Sequence, residues 1–104
     1  MQVTVTRHVD ASEPDASGAY DYRYEYDLIR VADGDVTVVA RSYTSSPAEA
    51  FLLHLEFSGQ ESPVCDAYLK LPLVTAAIAH LKDSGKKKVV WRGPEGYEPV
   101  PTSA

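Results

Sequence analysis

Apolar and polar residues alternate through most of the first half of the chain. In residues 2–9, Val3, Val5 and Arg7 fall on one side and Thr4, Thr6 and His8 on the other, and the β-branched content suits a strand. Residues 10–19 lose the alternation, contain Pro14 and Gly18, and read as a solvated loop. Two longer alternating runs follow, 20–32 and 35–44, separated by Asp33-Gly34. Asp-Gly between β-rich runs predicts a hairpin, because a type I′ turn needs positive φ at both central residues. A loop made of those two residues pairs Val31 with Val36, Ile29 with Val38, Tyr26 with Arg41 and Tyr24 with Tyr43. One face then carries Ile29, Val31, Val36, Val38 and Ala40. The other carries Tyr20, Tyr22, Tyr24, Tyr26 and Leu28 beside Val39, Arg41 and Tyr43.

The second half mixes periods. Ser46-Pro47-Ala48-Glu49 has the form of a capping box with proline at the first helical position. Ala48, Phe51, Leu52 and Leu55 continue it as a helical stripe that Ser58-Gly59 can end. The same segment also alternates as a strand would, with Phe51, Leu53, Leu55 and Phe57 on one side. The capping signal decides for a short helix over 47–56. Residues 64–70 suit a helical turn or a short strand. Pro72 opens a second helix to about residue 84, with Val74, Ala77, Ile78 and Leu81 at core spacing and Gly85 just past its end. Lys88 to Arg92 reads as a last strand. The expected fold is therefore α+β: an antiparallel sheet of about four strands (2–9, 20–32, 35–44 and 88–92) with helices at 47–56 and 72–84 packed on one face. Residues 1–92 form one globular domain, and the Pro/Gly-rich tail, 93–104, is expected to be irregular.

Composition narrows the classes. A chain of 104 residues with 44% hydrophobic and 24% charged residues is ordinary for one globular domain. No apolar run approaches the ~18 residues that span a bilayer, and no signal peptide is visible, so the expected setting is cytoplasmic, with no membrane partner. One cysteine excludes an internal disulfide and a cysteine-based zinc site. Asparagine is absent, which excludes N-glycosylation and, with only two isoleucines, suits a GC-rich bacterial genome.

Three features bear on function. Tyr20, Tyr22, Tyr24, Tyr26, Arg41 and Tyr43 share one hairpin face. Tyrosine pairs a large apolar body with a water-tolerant hydroxyl, which suits an interface, here with a protein partner or a second copy in a weak homodimer. Cross-strand packing beneath a helix would account for the same residues without a partner. Lys86, Lys87, Lys88, Trp91 and Arg92 form the second feature, a basic and aromatic segment that could grip a phosphate backbone. A net charge of −5 opposes that use, and lysines at a helix end and an edge strand need no ligand. The third is a small-molecule pocket or an unrecognised active site. No catalytic constellation supports it, and no cofactor or metal is indicated: His8, His54 and His80 show no ligand spacing, and Cys65, beside Val64 and Ala67, is expected to be buried and inert. The best-supported expectation is a non-catalytic interaction module acting through the tyrosine face.

Overall fold

The structure, a computed structural model, describes residues 1–19, 23–65, 67–93 and 96–99. Among these, seven strands make one sheet: β1 (Gln2–Ala11), β2 (Arg23–Asp33), β3 (Val36–Tyr43), β4 (Glu49–Phe57), β5 (Gln60–Pro63), β6 (Lys88–Gly93) and β7 (Gly96–Pro99). The order across the sheet is β1-β2-β3-β4-β6-β7. Every pairing is antiparallel except β4 with β6. β5 and β6 lie end to end along the same edge of β4, β5 beside residues 54–57 and β6 beside 49–52. Between β5 and β6 the described residues make a 3₁₀ turn, Tyr68–Lys70, and a helix, α1 (Pro72–Asp83).

α1 begins with proline at its first turn and buries Val74, Ala77, Ile78 and Leu81, the stripe that its 3.6-residue period predicts. It ends in a Schellman arrangement. The Lys86 amide donates to the Leu81 carbonyl and the Gly85 amide to that of Lys82, with Gly85 at φ +105°. The apolar stripe packs on the sheet face formed by Ile29, Val31, Val38, Ala40, Leu55 and Trp91. The opposite face carries no described helix.

The expected α+β fold with two helices does not hold. Residues 47–56 do not form a helix; Glu49–Phe57 is the strand β4, and the fold is a mostly antiparallel sheet with one short helix. A β-bulge explains the misleading period. Val39 pairs with His54, but Ala40 pairs with Leu52, so Leu53 is an extra residue on β4. The bulge shifts the inward positions from Leu55 and Phe57 to Leu52 and Ala50, and the resulting three-residue step imitates a helical stripe. Ser58 and Gly59, at φ +50° and +86°, are the central residues of the tight β4–β5 turn rather than a helix end.

The hairpin register also differs. Asp33 pairs with Val36, so the loop is Gly34-Asp35; Gly34 lies at φ +61° and Asp35 does not have positive φ. That sign pattern belongs to a II′-type turn, which needs glycine first. Each expected partner moves by two residues, so Tyr26 faces Tyr43 and Leu28 faces Arg41. A shift of two preserves the side of the sheet on which each residue lies. β1 extends past residue 9 to Ala11, and residues 96–99 of the expected irregular tail form β7. No described helix is long and apolar enough to cross a membrane.

Candidate functional site

The parity of each strand decides what the open face displays. Even-numbered residues of β2 and odd-numbered residues of β3 point to it, and β1 adds His8 opposite Tyr26. β4 contributes Phe51 on one side of its bulge and His54 and Glu56 on the other. Tyr97 arrives on β7. Tyr20 and Tyr22 lie outside the described residues.

These side chains form a continuous aromatic belt across the strands. Tyr43 meets Tyr24 and Tyr26 edge to face, each at 6.0 Å between ring centroids. Tyr43 meets Phe51 at 6.2 Å, and Phe51 meets Tyr97 at 5.6 Å, again edge to face. His8 stacks nearly parallel on Tyr26 at 5.5 Å. Edge-to-face contacts place the positive ring edge on the negative face of its neighbour, so the belt is held together by its own rings. Tyr24 is 54% exposed and Tyr97 66%, whereas Tyr26, Tyr43 and Phe51 are half-buried.

Arg41 lies within the belt. Its guanidinium carbon is 5.0 Å from the centroid of Tyr43 and 5.8 Å from that of Tyr26. Both distances are those of cation–π contacts, and the observed register brings the two rings to the same guanidinium. The Arg41 Nε is buried and has no hydrogen-bond partner among the described residues. A buried donor without an acceptor is costly.

The basic segment is placed differently from its sequence reading. Trp91 is 4% exposed and packs in the core on the helix side, so its ring is not available to stack on a base. Lys86 donates from Nζ to the Pro47 carbonyl at 2.7 Å. The parallel β4–β6 register sets Lys88 beside Glu49, while Lys87 is exposed. The Arg92 side chain lies outside the described residues. Cys65 is exposed, contrary to its expected burial; it sits in the segment that leaves β5, where its neighbour Val64 packs against the core instead.

A second group on the open face is absent from the sequence reading. His54 Nε2 lies 3.2 Å from Glu56 Oε2 and 3.6 Å from Glu61 Oε1. Arg30 Nη1 donates to both oxygens of Glu56, at 2.9 and 3.1 Å. Burial alone would push the Glu56 carboxyl up. The hydrogen bonds and charges of Arg30 and His54 outweigh that and hold it below its ordinary value. The usable sequence signal was His54-x-Glu56 at strand spacing followed by a two-residue turn. A helical period over the segment hides it, because in a helix those residues diverge.

On the helix side, a cleft of about 180 Å³ lies among Val5, Asp27, Ile29, His80, Ser84 and Lys86. That is below the ~300 Å³ at which small-molecule pockets usually begin. Comparison of the chain with family models, curated proteins and solved structures found no match in any of the three.

Proposed function

We propose that this protein is a small non-catalytic interaction module whose open sheet face docks against the same face of a second copy. The carrying observation is the aromatic belt with Arg41 seated in it, on the side of the sheet opposite α1. Tyrosine and arginine are the residues enriched at interface centres, and the belt supplies them contiguously. Its most exposed rings, Tyr24 and Tyr97, stand at opposite ends, so a two-fold partner can meet both ends at once. The central rings are already half-buried, so docking removes less of their surface from water and the association is weak and reversible.

The test is sedimentation of the wild type across a concentration series, beside Tyr24→Glu/Tyr97→Glu. A concentration-dependent dimer that the double variant loses while keeping its strand circular dichroism supports the reading. A strictly monomeric wild type, or a dimer that survives both charges, overturns it.

A further inference from the structure

His54, Glu56 and Glu61 form a donor set that the aromatic belt does not use. β4 delivers His54 and Glu56 to one face at a spacing of two, and the Ser58-Gly59 turn sets Glu61 directly across from Glu56. One donor atom from each residue lies within 4.8 Å of the other two. The histidine-to-carboxylate separations are 3.2 and 3.6 Å. A tetrahedral ion bound at ~2.0–2.1 Å to nitrogen and oxygen holds its ligand atoms about 3.4 Å apart, a spacing that the two separations bracket.

Two further observations bear on this set. Glu56 and Glu61 lie directly opposite on neighbouring strands, where like charges repel; Arg30 and His54 offset part of that repulsion, and a bound cation would relieve it further. Arg30 meanwhile grips Glu56 from two strands away and orients the carboxylate, as an outer hydrogen-bond partner orients a metal ligand. The donor set also limits the ion. One imidazole nitrogen with two carboxylates suits zinc and its neighbours, whereas calcium asks for six to eight oxygens.

We propose that His54, Glu56 and Glu61 form a three-ligand site for a divalent transition metal, zinc by preference, with a fourth position left to water.

The experiment is a Co²⁺ titration of the full chain read by visible absorption, with Zn²⁺ as competitor. One equivalent of Co²⁺ should give saturable ligand-field bands that Zn²⁺ abolishes. The bands should survive Cys65→Ser, which removes the soft thiolate alternative, and vanish in His54→Gln. Glu61 is exposed next to a turn, so Glu61→Gln should remain folded and bind Co²⁺ more weakly. Zn²⁺ should also raise the thermal midpoint of the wild type but not that of His54→Gln. Absence of saturable bands, bands that persist in His54→Gln, or a wild-type midpoint that Zn²⁺ leaves unmoved would each overturn the site, and the histidine would then simply bridge two carboxylates.

Discussion

Arg30 on β2 and Glu56 on β4 are joined by an ion pair at 2.9 Å that reaches across the intervening strand β3. In register, Arg30 lies opposite Val39, and Val39 lies opposite His54. Glu56 lies opposite Thr37, so the bridge runs diagonally across β3 beside Val39, which is 1% exposed although it lies on the face opposite α1. A partly exposed ion pair contributes little through its charges alone. An arginine stem can in addition cover apolar surface while its guanidinium reaches a partner.

That pair predicts a pH dependence with a definite sign. The folded-state pKa of Glu56 is depressed, so its contribution to stability is fully present above the ordinary carboxylate range. It is lost as the pH falls through that range toward the folded value. The urea midpoint of the wild type should drop on acidification, and in Arg30→Gln that portion of the drop should be smaller. Equal acid sensitivity in both proteins would show that Arg30 is not what depresses Glu56.

Ile78 is 7% exposed and belongs to the α1 stripe that packs on the sheet. Ile78→Ala should cost ~2–5 kcal/mol, from lost transfer energy and the cavity left behind. An unchanged denaturation midpoint would place the stripe outside the core.

The two tight turns should respond in opposite directions to substitution. Gly34 holds φ +61°, so Gly34→Ala should destabilise by about 1 kcal/mol although a methyl group there meets no neighbour within 4 Å. Ser58 holds φ +50°, so Ser58→Gly should be neutral or stabilising by up to about 1 kcal/mol, because relief of left-handed strain offsets the added chain entropy. Chemical denaturation of the two variants checks both signs.

Cys65 is exposed, so a thiol reagent should label the native protein with one equivalent at neutral pH without denaturant. Labelling that waits for unfolding would contradict its placement.

The parts legible in the sequence were those where one period ran unbroken. The stripe of α1 and the division of the β2–β3 hairpin into an aliphatic and a tyrosine face both follow from spacing, and the face assignment survived a two-residue register error because side chains alternate with a period of two. What was illegible came from long-range pairing. Leu53 breaks the alternation of β4 only because β3 lies beside it, and without that strand the capping box at Ser46 is the stronger local signal. Trp91 looked like part of a basic patch because its chain neighbours are lysines, yet the β4–β6 ladder turns its side chain under α1. His54, Glu56 and Glu61 became a group only once that segment was a strand.

The parallel ladder between β4 and β6 should also order the events of folding. β1 through β5 are joined by antiparallel pairings, three of them between strands that follow one another closely, and loops that short close within microseconds. β6 reaches β4 only after β5, the 3₁₀ turn and α1 have intervened, so its pairing carries the loop-closure entropy of the whole crossover. β6 and β7 should therefore dock last, after the meander has supplied a surface. Val89, buried in that ladder, then becomes a position where truncation to alanine accelerates unfolding while leaving the refolding rate nearly unchanged.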